Sequence, residues 1–137
     1  LRFTGARSTV HEMGIRMRAF IVEDSGLVTA YLVELLKGMG CVEIVGAATN
    51  PAHAIAGIAA TSPEVVILDL RLKGGSGIEV LRSIKKDPRA PAVIVLSNYT
   101  STEYMETCRE LGAEYFFDKA LEFDRVVEAL LELCGGD

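Results

Sequence analysis

The sequence predicts an α/β fold: a doubly wound parallel sheet with helices on both faces. Three observations carry this. Apolar runs of strand length alternate with stretches of helical periodicity, and that alternation implies a parallel sheet with right-handed crossovers. The runs V-V-I-L at 65–68 and A-V-I-V-L at 92–96 are continuous, which marks strands buried on both faces. Glycines, prolines and short polar cap residues stand at the joints.

The elements follow in order. Residues 1–16 are polar, mixed and without period, and they lack an initiator Met. They read as a vector-derived or loose extension outside the fold. Residues 18–22 (R-A-F-I-V) form a first strand ending at Glu23 and Asp24. After Ser25-Gly26, the spacing of Leu27, Val28, Tyr31, Leu32, Leu35, Leu36 and Met39 predicts a helix with one apolar side. Gly38 and Gly40 mark its end. Residues 41–47 read as a second strand. Asn50-Pro51 opens an Ala-rich helix with proline at its first position, and Ser62-Pro63 breaks it. The third strand runs to Asp69.

A loop over 70–77 holds three glycines, Gly74, Gly75 and Gly77. Ile78, Val80, Leu81 and Ile84 then make an amphipathic helix closed by Asp87-Pro88. The fourth strand, 92–96, ends at Ser97. Ser101 or Thr102 can cap a helix with Met105, Cys108 and Leu111 on one face. Residues 115–117 form a short strand leading to Asp118 and Lys119. The last helix turns Phe123, Val126, Val127, Leu130 and Leu131 inward, with Glu122, Arg125, Glu128 and Glu132 outside. One domain is expected over 17–134, with 135–137 as a tail.

Bulk properties exclude some functions. A chain of 137 residues, 50% hydrophobic, fits one domain with a full core. A net charge of -5 without a basic stripe argues against direct nucleic-acid binding. No apolar run approaches the ~20 residues that cross a bilayer, and no signal-peptide apolar region occurs. Cys41, Cys108 and Cys134 lie far apart with no C-x-x-C, as for reduced thiols in a cytosolic protein. A cytoplasmic location is therefore expected, with no membrane partner.

Ligands of open α/β sheets bind beyond the carboxyl ends of the strands. There the chain places Glu23 and Asp24, Asp69, Ser97 and Lys119. Each has a plain alternative: solvated acids, a helix cap, a surface lysine. Asp69 is a poor cap, because four or more loop residues separate it from the next helix. Three crowded carboxylates repel unless a cation intervenes. Hard oxygen donors in that number suit Mg2+. An oxyanion that can bridge Mg2+, an ammonium and a hydroxyl is a phosphoryl group. A free carboxylate beside Mg2+ can attack phosphorus and form an acyl phosphate.

With those residues assembled, the chain resembles the receiver domain of bacterial two-component response regulators over residues 18–133, the chemotaxis-regulator fold. The resemblance implies a (βα)5 sandwich in strand order 2-1-3-4-5. It implies Asp69 as phospho-acceptor, Asp24 as direct metal ligand, Glu23 as a ligand through water, and the backbone carbonyl of Arg71 as the third protein ligand. Ser97 would turn its hydroxyl to the phosphoryl group, Lys119 would pair with it, and Phe116 would be the aromatic switch residue. The cofactor implied is Mg2+ or Mn2+. Arg71 and Tyr99 flank the site and by resemblance tune hydrolysis, with surface packing as the plain alternative for Tyr99.

Lys73 replaces a frequent proline, while Gly77 keeps the family's glycine. Ala120 replaces a usual cis proline, and a cis non-proline bond costs ~2.5–4 kcal/mol, so a trans bond is expected. Phe116 lacks a hydroxyl, so packing alone would drive its motion.

The implied donor is a sensor histidine kinase or a histidine phosphotransferase, and the implied target is a downstream protein. The face of helix four, strand five and helix five would change on phosphorylation. The domain would be no enzyme beyond its own phosphoryl transfer and slow self-hydrolysis. The alternatives within this class are a phosphorelay intermediate and a receiver fragment of a larger DNA-binding regulator. Homodimerisation on phosphorylation stays open, although exposed Glu103, Glu106, Glu110 and Glu128 offer no obvious seam. Two rivals come from other classes. A flavodoxin-like small-molecule binder needs a phosphate loop where Glu23-Asp24 stands. A haloacid-dehalogenase-type phosphatase wants a second acid where Arg71 stands.

Overall fold

The computed structural model describes residues 1–3 and 16–135. In chain order the elements are β1 (Met17–Val22), α1 (Gly26–Lys37), β2 (Val42–Ala48), α2 (Pro51–Thr61), β3 (Val65–Leu68), β4 (Arg71–Leu72), β5 (Gly75–Ser76), α3 (Gly77–Ile84), β6 (Ala92–Ser97), α4 (Thr102–Glu110), β7 (Tyr115–Asp118) and α5 (Arg125–Leu133). Five strands form one parallel sheet in the order β2-β1-β3-β6-β7. Counted without β4 and β5, this is the expected order 2-1-3-4-5. Those two form a small antiparallel hairpin inside the 70–77 segment, where the sequence shows only a glycine-rich loop. Gly74 turns it with φ +72°, a conformation glycine adopts without strain.

Side chains alternate across the sheet as strand geometry requires. Phe20, Val22, Val66, Leu68, Val93, Val95 and Phe116 pack toward α2, α3 and α4. Ala19, Ile21, Val65, Ile67, Ile94, Leu96, Tyr115 and Phe117 pack toward α1 and α5. The continuous runs of β3 and β6 are thus buried on both faces, as their composition demands.

Four helices start on side-chain caps. Ser25, Asn50, Ser76 and Ser101 accept the backbone N–H of Val28, His53, Ile78 and Tyr104. Because Ser76 caps α3, Asp69 is left free of that duty. Gly77 is forced by close approach: a Cβ there would sit 2.0 Å from the Asp69 carbonyl oxygen.

Some expected faces shift. In α1 only Leu32 and Leu36 are buried; Leu27 is 83% exposed, and Tyr31 stacks on Phe123 at 5.1 Å. The inner face of α5 is Val126, Ala129, Leu130 and Leu133, while Leu131 points out. Phe123 precedes this helix, whose start at Arg125 sets the phase of the i, i+3, i+4, i+7 stripe. Helix α3 ends at Ile84, short of Asp87.

Residues 1–3, expected to lie outside the fold, run antiparallel beside β7 with Arg2 opposite Tyr115. The reason is that β7 is an edge strand, whose outward polar groups need partners. Residues 4–15, 136 and 137, which are the rest of the expected extension and most of the expected tail, lie outside the described residues. All described peptide bonds are trans, including that before Ala120. Among the described residues no helix is long and apolar enough to cross a membrane.

Candidate functional site

The backbone ladder fixes the site. Just past β1, Glu23 N–H donates to the Ala48 carbonyl at 3.0 Å; just past β3, Asp69 N–H donates to Val22 at 2.9 Å; just past β7, Lys119 N–H donates to Ser97 at 2.9 Å. Three side chains from distant parts of the chain are thereby held at one edge. Glu23 is 3% and Asp69 6% exposed.

The Lys119 ammonium bridges them. Its Nζ donates to Glu23 Oε1 at 2.7 Å and to Asp69 Oδ2 at 2.8 Å. The remaining oxygens are also used: Asp69 Oδ1 accepts from Leu70 N–H at 2.7 Å and Glu23 Oε2 from Ser25 N–H at 3.0 Å. Asp24 is the most exposed of the three acids, and one oxygen from each of Glu23, Asp24 and Asp69 lies within 4.8 Å of the others.

Burial pushes the Glu23 carboxyl above its usual range, outweighing the hydrogen bonds from Lys119 and Ser25 that pull it down. Burial also works against the charge on Lys119, but hydrogen bonds to Asp69 and Glu23 overcome it and raise its pKa. Among the described residues, Lys119 is the cation directly paired within this cluster of three acids. Such a cluster has room for more positive charge.

The donor set fits a small hard dication. Octahedral Mg2+ with bonds of ~2.0–2.1 Å keeps its ligands within roughly 4.2 Å of one another. The 4.8 Å spread of the acids meets this with a small closure or one intervening water. Glu23, Asp24 and Asp69 are the side chains that would hold the ion.

The other expected residues are near but differently engaged. Ser97 is fully buried, and its hydroxyl accepts Tyr99 N–H at 3.1 Å. Phe116 is 2% exposed in the core toward α4. Arg71, on β4, turns its guanidinium to the Tyr99 hydroxyl and lies 5.7 Å from the centre of that ring. The two flanking residues therefore form one bridge from the hairpin to the loop after β6. Sequence reasoning missed that Lys119 would clasp both acids at once. It also missed the contact of Phe3 with Phe116, for which no local pattern exists. A cavity of about 690 Å3, lined by Ile55, Ile58, Pro63, Ile84 and Pro91 among others, lies where β3 and β6 begin and contains none of the site residues.

The response regulator receiver domain family matches residues 19–131. The chain belongs to that family. The receiver resembles the DNA-binding transcriptional activator DevR/DosR of Mycobacterium tuberculosis, 31% identical over 88% of this chain and 55% of that protein. It also resembles a protein-glutamate methylesterase/protein-glutamine glutaminase of Koribacter versatilis, 34% identical over 77% of this chain and 30% of that protein. The receiver thus spans about half of the first relative and under a third of the second. Among solved structures it matches the signal receiver domain of the response regulator NarL from M. tuberculosis, with a TM-score of 0.79, 27% identity, and coverage of 90% of this chain and 99% of that one. A LuxR-family DNA-binding response regulator from Staphylococcus aureus matches with a TM-score of 0.79 and 27% identity, over 86% of this chain and 98% of that one.

Proposed function

We propose that Asp69 accepts a phosphoryl group from a phosphohistidine carried by a sensor histidine kinase or a histidine phosphotransferase. The observation that carries this is the clasp of Lys119 on Glu23 and Asp69 with Asp24 within reach. An oxygen of Asp69 bonds to phosphorus as the bond from phosphorus to the donor imidazole nitrogen breaks. That nitrogen leaves with the electron pair and takes up a proton. Mg2+ or Mn2+, when bound by Glu23, Asp24, Asp69 and the carbonyl of Arg71, supplies neutralising charge for the incoming phosphoryl oxygens. Lys119 keeps the pocket from repelling an anion, and Leu70 N–H holds Asp69 in a fixed orientation. Catalysis in such a site is positioning and charge neutralisation.

Two contacts then convert chemistry to shape. Ser97 exchanges its bond with Tyr99 N–H for one to the phosphoryl oxygen, which moves the loop at 98–100. Phe116 holds the space so vacated. A shift from mostly off to mostly on needs ~5.5 kcal/mol, and two charge-assisted contacts at ~1.5–3 kcal/mol each reach that order. The surface that changes is α4-β7-α5, which would meet a downstream protein. In solution, Asp69→Asn is expected to abolish labelling by a small phosphodonor in the presence of Mg2+. Undiminished labelling would refute the acceptor assignment.

A further inference from the structure

The outer edge of β7 is already occupied. Phe116 exchanges both of its backbone hydrogen bonds with Leu1: Leu1 N donates to the Phe116 carbonyl at 2.8 Å, and Phe116 N–H donates to the Leu1 carbonyl at 2.8 Å. Phe3 N–H donates to the Glu114 carbonyl at 2.9 Å. The Phe3 ring packs on the same core cluster as Phe116, with ring centres 6.2 Å apart. On the other side Arg2 pairs with Glu132 at 3.3 Å, and Glu132 also accepts the Tyr115 hydroxyl. That ion pair is exposed and worth little. The ladder and the ring contact carry the attachment.

We propose that the β7 edge is a strand-docking surface, filled in cis by residues 1–3, and that its occupancy is coupled to the Asp69 site through Phe116. Strand addition to a free sheet edge is a general way to bind an extended peptide: backbone bonds give affinity and alternate side chains give selectivity. The segment seated here has the pattern apolar, basic, aromatic. It clamps one residue by backbone and by ring, and that residue lies three positions before Lys119, which holds Glu23 and Asp69. The coupling half rests on the phosphoryl switch proposed above. In that switch the phosphorylated state needs the Phe116 ring in the space beside the moved 98–100 loop, and Phe3 holds the ring against the core here. Docking therefore favours that state, and by linkage a phosphoryl group at Asp69 strengthens docking.

The test compares the full chain with Phe3→Ala and Phe3→Pro. The first removes the ring, and the second also removes the N–H that Glu114 accepts. Residue-level amide exchange reads docking directly. The Phe116 amide should be protected in the full chain and exchange about tenfold faster or more in both variants, with Phe117 unchanged. Beryllium fluoride with Mg2+ reads coupling, and the full chain should bind it roughly three- to tenfold more tightly than Phe3→Ala. Equal Phe116 exchange in all three proteins overturns the docking. Faster exchange with unchanged fluoride affinity overturns the coupling. A full chain that binds no beryllium fluoride overturns the phosphoryl reading and the coupling with it, while Phe116 exchange still decides the docking.

Discussion

Replacing Lys119 with methionine removes the ammonium paired with Glu23 and Asp69 and keeps most of the volume. Glu23 and Asp69 are then buried beside Asp24 with only the N–H groups of Ser25 and Leu70 bonded to them. Breaking a buried pair in this way costs ~3–5 kcal/mol, but protonation sets a ceiling. Putting a proton on an ordinary carboxylate at pH 7 costs ~3.7 kcal/mol. Glu23 is already raised by burial, so its escape is cheaper. The expected loss at pH 7 is therefore ~2–3 kcal/mol, or roughly 8–12 °C in Tm for a domain of this size.

The sign with pH follows from proton counts. In the variant the folded state holds a carboxyl above its unfolded pKa. Folding then takes up a proton between those values, and stability rises as pH falls toward 5. In the parent, Lys119 is raised, so its contribution is full below the unfolded lysine value and is lost as pH climbs through the raised one. Urea titrations at pH 5, 7 and 8, with and without Mg2+, measure the variant's gain toward acid, and in that range the parent's lysine contribution stays full. Mg2+ should stabilise the variant more than the parent by taking over the missing charge. A variant as stable as the parent at pH 7, with no gain toward pH 5 and none from Mg2+, would refute the reasoning.

Other expectations concern close packing and burial. Gly77→Ala would drive a methyl group to 2.0 Å from the Asp69 carbonyl oxygen, so a loss of ~3 kcal/mol or more in urea unfolding is expected; a neutral result would mean that the 70–77 loop yields freely. Gly57→Ala improves helix propensity in α2 by ~1 kcal/mol, yet its Cβ would stand 2.7 Å from the buried Phe20 ring. Net destabilisation is expected, and a rise in Tm would show that the ring has room. Burial pushes the Cys108 thiol up to about 12, so in a Cys41→Ser, Cys134→Ser background a thiol reagent at pH 8 should label the chain only after unfolding.

Much of this protein was legible in its sequence because strand ends impose chemistry. The uninterrupted apolar runs of β3 and β6 require burial on both faces, which requires a parallel sheet, which gathers Glu23, Asp24, Asp69 and Lys119 at one edge. Other features depend on tertiary context. Residues 1–3 carry no strand pattern of their own; their place is set by the unpaired edge of β7. Ala129 stands on the inner face of α5 where the apolar count alone put Leu131, because the helix begins at Arg125. The Ser97 hydroxyl is drawn to Tyr99 N–H by a turn only the folded loop creates. The clasp of Lys119 on two acids depends on the length of one side chain across three strands, which spacing along the chain does not encode.

The most direct test is chemical. After incubation with a small phosphodonor and Mg2+, peptide mapping should find a single hydroxylamine-sensitive phosphoryl group on the peptide containing Asp69, absent when Mg2+ is chelated. A hydroxylamine-resistant label, or one carried by any other residue, would contradict the assignment of this acid as the acceptor.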